Sequence, residues 1–321
     1  MVRPFDLEEI VPEAAGGPPG RRRPPGNSAQ GLAATLIADY TARTTAWLPS
    51  AAIVALLGEF GVTSGAARTS ISRLARRGVL EGSRDGRYSS YRLTRDAATD
   101  LSNGGTAIAA TGVDSDPWDG FWTIVIFSMP EQESTRRRAL REHLRWNGYA
   151  PLYDGVWISP YPMSPQLRAQ VAAAALGAVT VFRAQRVDLE ADADRRPVDA
   201  WDLPGIAKEY EAFIDRWTPL LSRISAGAVR GAAAVRARTE VMNLYRRFPV
   251  LDPMLPIDLL PPDWPRRRAQ EVFVAIYDGL LEPAQEHVRG VVSRVAGRPC
   301  PEVQAHTVAQ MAAGTRDEPD H

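Results

Sequence analysis

Spacings of three and four residues between apolar side chains predict helices along most of this chain. Leu32, Leu36 and Tyr40 predict a helix over residues 30–40. Ile53, Leu56, Leu57 and Phe60 predict a second over 49–60, with Pro49 in the first turn that proline favours. After the turn Gly61-Val62-Thr63, Ala67, Ile71 and Leu74 share one side of a third helix. Ser64 is placed to cap it and Gly78 to end it. Its other side carries Arg68, Thr69, Ser72, Arg73 and Arg76. Alternation then replaces helical spacing. Residues 79–83 and 87–93 predict two strands around Asp85-Gly86, a dipeptide suited to a hairpin turn. Tyr91 and Leu93 fall on one face of the second strand, and Tyr88, Ser90 and Arg92 on the other.

Asn103-Gly104-Gly105 and the stretch 114–117 make residues 97–116 a frayed helix and a linker. From 118 to 185 the pattern is strand 122–127, helix 131–147, hairpin 150–153 and 156–159 around Asp154-Gly155, helix 164–176 and strand 179–184. That β-α-β-β-α-β order predicts a ferredoxin-like sheet with both helices on one face. Helices are predicted again over 205–224, kinked at Pro219, and over 228–248, 266–281 and 283–295. Residues 249–265 carry six prolines and predict an extended, semi-rigid connection.

The fold class is therefore α+β and multidomain. A disordered tail (1–28) precedes a winged helix-turn-helix domain (29–96) and a linker (97–117). A ferredoxin-like middle domain (118–187), an all-α C-terminal domain (200–296) and a flexible tail (297–321) follow.

Charge sharpens this picture. The 321 residues carry no net charge, yet residues 61–95 hold eight arginines against Glu81 and Asp85. Residues 188–215 hold nine acids against Arg195, Arg196 and Lys208. Such segregation is the footprint of a protein that meets a polyanion on one face. The helix would enter a major groove, where Thr69, Ser72 and Arg73 reach base edges with Arg68 and Arg76 beside them. Arg84, Arg87 and Arg92 on the wing would hold phosphates.

No apolar run approaches the roughly 20 residues a membrane helix requires, and no secretory signal is apparent. The lone Cys300 excludes an internal disulfide and fits a reducing cytoplasm. The histidines at 143, 287, 306 and 321 have no metal-ligand spacing, and no metal or cofactor is expected. A rival reading makes the middle domain a metal-dependent nuclease, with Asp119 or Asp154 as ligand. Its first strand, however, ends Phe127-Ser128-Met129-Pro130 without an acid. A third reading is an assembly protein that binds no DNA.

Several segments together resemble the PaaX family of bacterial repressors: residues 32–40 (LAATLIADY), 68–74 (RTSISRL), 86–94 (GRYSSYRLT), 118–130 (WDGFWTIVIFSMP), 155–160 (GVWISP), 245–248 (YRRF) and 252–264 (DPMLPIDLLPPDW). The likeness runs over about residues 30–292 in this order. It implies a cytoplasmic homodimeric repressor without enzymatic activity. It also implies that an acyl-coenzyme A thioester, such as phenylacetyl-CoA, releases the protein from double-stranded operator DNA. Such an effector needs cations for its phosphates and an apolar slot for its acyl group. The candidates are Arg246 and Arg247 beside Tyr245, Arg266 after Trp264, and Trp217 with Phe273 as walls.

Overall fold

The computed structural model describes residues 28–86, 88–113, 117–175, 179–187 and 195–314. The expected disordered tail, Ser28 apart, and the acidic stretch 188–194 lie outside these residues, as do Arg87 and the end of the C-terminal tail. By contact the chain groups into two compact units. One comprises residues 1–112, 210–250 and 266–321, the other 113–209 and 251–265.

In the first unit α1 (Ala29–Thr41) is capped by Ser28, whose hydroxyl accepts from the Gly31 N–H at 3.0 Å. Helix α2 (Ser50–Gly58) begins one residue later than expected. Pro49 instead joins Leu48 in a short strand, β1 (Leu48–Pro49), paired with Tyr91 and Ser90. The third helix, α3 (Ser64–Arg76), is capped by Thr63 rather than Ser64. Thr63 keeps an extended backbone, and its hydroxyl accepts from the Ala66 N–H at 3.3 Å. Gly78 takes a positive φ of 73° just past the helix end, a conformation that costs glycine little.

The hairpin is β2 (Leu80–Asp85) and β3 (Tyr88–Leu93), with Asp85 paired to Tyr88. Asp85 thus belongs to the first strand of the hairpin rather than to the turn that the dipeptide Asp85-Gly86 suggests. Ala67, Ile71 and Leu74 are buried, as the helical spacing required.

The stretch expected as a frayed helix and linker is a regular helix through most of its length, α4 (Arg95–Ala110), started by the Thr94 hydroxyl on the Ala97 N–H. Its glycines serve packing. A Cβ on Gly105 would lie 2.6 Å from Met311 Cγ, so the missing side chain lets a helix from the C-terminal tail close on α4.

Helix α7 (Leu203–Ser225) runs through Pro219 as one helix. Helices α8 (Gly231–Tyr245), α10 (Arg266–Gly279) and α11 (Leu281–Ala296) follow, with one turn, α9 (Phe248–Leu251), between the first two. Helix α8 packs on α1, and α11 packs on α2 and β1. The late helices and the head thus share one core. The expected flexible tail is also ordered through residue 314. Val303, His306, Val308 and Met311 are buried, and α12 (Val308–Ala312) carries a capping box between Thr307 and Gln310.

Gly105→Val tests the α4–α12 contact. It should undock α12 at a cost of about 1–3 kcal/mol, the usual penalty of overpacking. Hydrogen exchange at residues 307–313 should quicken, while Gly65→Val, whose Cβ meets nothing within 4 Å, leaves it unchanged.

In the second unit the strands are β4 (Trp122–Phe127), β5 (Ala150–Tyr153), β6 (Val156–Ser159) and β7 (Val179–Ala184). They lie in the order β5-β6-β4-β7 with every neighbour antiparallel. Helices α5 (Ser134–Trp146) and α6 (Pro165–Ala175) supply Leu140, Leu144, Leu167 and Val171 to a core with Val125, Phe127 and Trp157. The proline-rich segment is pinned to this unit. Asp258 accepts from the Trp118 N–H at 2.9 Å, the Tyr161 hydroxyl donates to the Met254 carbonyl, and Leu255 is fully buried.

Candidate nucleic-acid interface

Helix α3 is sorted by its own sequence. Its apolar side is consumed by the core, which leaves Arg68, Thr69, Ser72, Arg73 and Arg76 exposed together along the opposite side. Arg68, Arg73 and Arg76 form no salt bridge with a described residue, so their charge faces water. Gly65 and Ala66 are exposed in the first turn and add little bulk. Helical spacing had drawn no attention to these two, because they carry no polar handle. Ser70 lies at the boundary, buried, and returns its hydroxyl to the Ala66 carbonyl at 2.8 Å.

The hairpin arginines differ from one another. Arg84 is exposed, its Nε donating to the Gly86 carbonyl at 3.2 Å, which steadies the side chain beside the turn. Arg92 is half-buried and engaged. Its Nε donates to Glu81, its cross-strand partner, at 2.5 Å, and its guanidinium lies 4.7 Å from the Trp47 ring centroid. Its charge is matched within the hairpin, so it ties the wing to the head. Trp47 lies 45 positions upstream of Arg92, and no sequence spacing announces the stacking. Arg87 lies outside the described residues.

The expected effector residues do not meet in one cavity. Trp217 and Tyr245 are buried, and so is Phe273, stacked on Tyr245 with centroids 4.1 Å apart. The Tyr245 hydroxyl donates to the Thr111 carbonyl at 2.8 Å. These rings are core rather than the walls of a slot. Trp264 and Arg266 are buried as well, and Arg247 is exposed. Of the seven, Arg246 lines a cleft formed by α1, α4, α8 and the C-terminal tail.

The two acids of the nuclease reading hold local structure. Asp119 accepts from the Phe121 N–H at 2.9 Å and from Arg183, and these bonds lower its pKa, the backbone bond first. Asp154 pairs with Arg141 at 2.9 Å. Among the described residues no three His, Cys, Asp or Glu side chains are grouped to hold a metal ion, and no helix is long and apolar enough to cross a membrane.

Fold and surface together define a modular α+β protein: a helical head with one basic helix face, followed by a hairpin, and a separate α/β sheet unit. Three family profiles match it in sequence order. They are the PaaX-like protein (residues 28–97), the PaaX protein central Cas2-like domain (115–195) and the PaaX-like protein C-terminal domain (201–290). The chain belongs to the PaaX family. Over 254 residues it is 28% identical to the transcriptional repressor PaaX of Escherichia coli strain K12, covering 74% of this chain and 75% of that one. Among solved structures it resembles the uncharacterized protein Rv0674 of Mycobacterium tuberculosis, with a TM-score of 0.56 and 21% identity over 81% of this chain and 98% of the other. That second likeness concerns the fold alone.

Proposed function

We propose that this protein is a DNA-binding transcriptional repressor, a cytoplasmic homodimer released from its operator by an acyl-CoA thioester such as phenylacetyl-CoA. Residues 29–96 act as a winged helix-turn-helix domain, with α3 in the major groove and the β2–β3 hairpin along the backbone. The β-α-β-β-α-β unit is ferredoxin-like. Its order β5-β6-β4-β7 is what that reading requires, and the dimer contact belongs on its helix-free face, where Ile126 is 41% and Phe182 52% exposed.

The observation that carries the reading is the exposed row on α3, where Arg68, Arg73 and Arg76, without a salt bridge among the described residues, flank Thr69 and Ser72. Arginine pairs guanine edges bidentately, and hydroxyls accept or donate to any base. The homology to a named repressor supports the same reading.

The test is fluorescence anisotropy with the purified protein and DNA from upstream of its own gene cluster. Specific binding should be tighter than binding to scrambled DNA, and phenylacetyl-CoA should weaken it about 100-fold, which needs about 2.7 kcal/mol of differential affinity. No preference over scrambled DNA at low salt would overturn the repressor reading. Preference that survives every acyl-CoA would overturn the effector alone.

A further inference from the structure

The C-terminal tail closes a cleft whose chemistry nothing above uses. α1 supplies Ala38, Asp39 and Arg43, α4 supplies Gly105 and Ile108, α8 supplies Met242 and Arg246, and the tail supplies His306 and Met311. The cleft is open to solvent on one side, and the empty space of about 720 Å³ around it includes that open mouth.

The walls are mostly apolar, but the buried end is not satisfied. Tyr277 donates its hydroxyl proton to Asp39 Oδ1 at 2.7 Å, and Asp39 Oδ2 has no partner although Asp39 is 2% exposed. The same hydroxyl faces His306 Nε2 at 3.2 Å. Its one proton goes to Asp39, so its oxygen is free to accept from the imidazole. Nδ1 has no partner either. Burial holds His306 down to about 3, with Arg238 and Arg43 adding to the effect, so the ring is neutral near pH 7. A buried carboxylate oxygen without a donor is costly to leave so.

Charge sets the other half of the ligand. Arg238 is buried beside Asp39, and Arg43 and Arg246 stand nearer the mouth. Three guanidiniums against Asp39 and Asp278, both of which interact with Arg238, leave a net positive charge that favours an anion over an ammonium.

We propose that this cleft binds a small hydroxylated carboxylic acid. Its apolar body lies against Ile108, Met242 and Met311, its carboxylate meets Arg43 or Arg246, and its hydroxyl donates to Asp39 Oδ2. The tail is the movable wall. Met311 rests on Gly105, and Arg43 Nη1 donates to the carbonyls of Gln310 at 3.0 Å and Gly314 at 3.1 Å, so entry rearranges these contacts. The site stands independently of the DNA-binding reading, and only its coupling to DNA through α1 rests on that reading.

The experiment is isothermal titration calorimetry of the full chain without DNA, using 3- and 4-hydroxybenzoate, benzoate and phenol as probes. One hydroxybenzoate should bind saturably, and removal of its hydroxyl or its carboxylate should weaken binding about 5- to 10-fold. Ala42→Phe, at the half-exposed mouth, should block every probe while the chain keeps its circular dichroism and melting temperature. Asp39→Asn should erase the preference for the hydroxyl, so that the hydroxybenzoates bind no more tightly than benzoate. No saturation by any probe up to about 10 mM would overturn the site. Binding that ignores Ala42→Phe, or a hydroxyl preference that survives in a folded Asp39→Asn variant, would overturn the assignment of the cleft. Operator affinity without ligand does not enter this test, so its failure is distinguishable from failure of the repressor reading.

Discussion

Arg238→Leu should destabilise the first unit by about 3–5 kcal/mol, the usual cost of stripping one partner from a buried charged group. Arg238 is fully buried on α8, donating to the carbonyl of Tyr277 and to that of His306 at 2.6 Å, with its guanidinium 3.5 Å from the Tyr277 ring centroid. Its removal leaves two carbonyls without donors and Asp39 without its nearest counter-charge. The melting temperature should fall by about 6–20 °C for a unit of this size.

Acidity separates the members of this network. Burial raises Asp39 to about 6 against the pull of Arg238, the Tyr277 hydrogen bond and Arg246. Between about pH 6 and 4 the folded carboxyl therefore holds a proton that the unfolded chain releases. Its contribution grows as pH falls through 6 and is lost as pH rises through it. His306, held at about 3, works the other way, because below about 6.5 the unfolded chain gains a proton that the folded ring refuses. In the parent the two trends oppose. Asp39→Asn removes the first, so relative to the parent it should lose up to about 1.4 kcal/mol per pH unit between pH 6 and 4. Urea unfolding at stepped pH checks this. A parent and variant with parallel pH profiles would mean that Asp39 is not the raised group.

The second large effect concerns DNA. Arg73→Ala should weaken operator binding by about 1–3 kcal/mol, up to roughly 150-fold, and relax the preference for operator over scrambled DNA. Arg84→Ala should weaken both DNAs alike and lower the salt dependence of log K by about 0.9, the signature of one lost phosphate contact. Arg92→Ala should leave the salt slope nearly unchanged, since Arg92 is already matched by Glu81 and stacked on Trp47. Titrations on operator and scrambled duplexes from 50 to 300 mM salt distinguish the three. Equal loss on both DNAs for Arg73→Ala would remove α3 from base recognition.

The exposed basic face of α3 was legible in the chain because it is local. Ala67, Ile71 and Leu74 fix which side of α3 is buried, and a helix of known periodicity then has no choice about where Arg68, Thr69, Ser72, Arg73 and Arg76 point. The alternation in residues 150–159 placed its hairpin for the same reason. Errors of one residue arose where long-range pairing overrode local preference. Pro49 reads as a first turn, yet pairing of Leu48–Pro49 with β3 holds it extended.

The larger departures share one cause. Gly104 and Gly105 look like linker residues because glycine weakens an isolated helix, but α4 gains from the close approach of Met311 more than its glycines lose. The tail after residue 297 looks polar and loose, yet its few apolar residues find a surface on α1, α4 and α10. Phe273, expected to wall an effector slot, stacks on Tyr245 of another helix instead. In each case the partner lies more than 100 residues away or on another helix, and spacing along the chain carries no information about it.

The sequence by itself determined most of the helices and strands and which face of α3 stays in water, because both follow from periodicity of three to four or of two. Only the tertiary structure decided that the head, the late helices and the tail share one core, and that Asp39, Arg238, Tyr277 and His306 meet inside it. Burying one charged group is affordable only where others converge from distant parts of the chain, and that convergence is a property of packing in three dimensions.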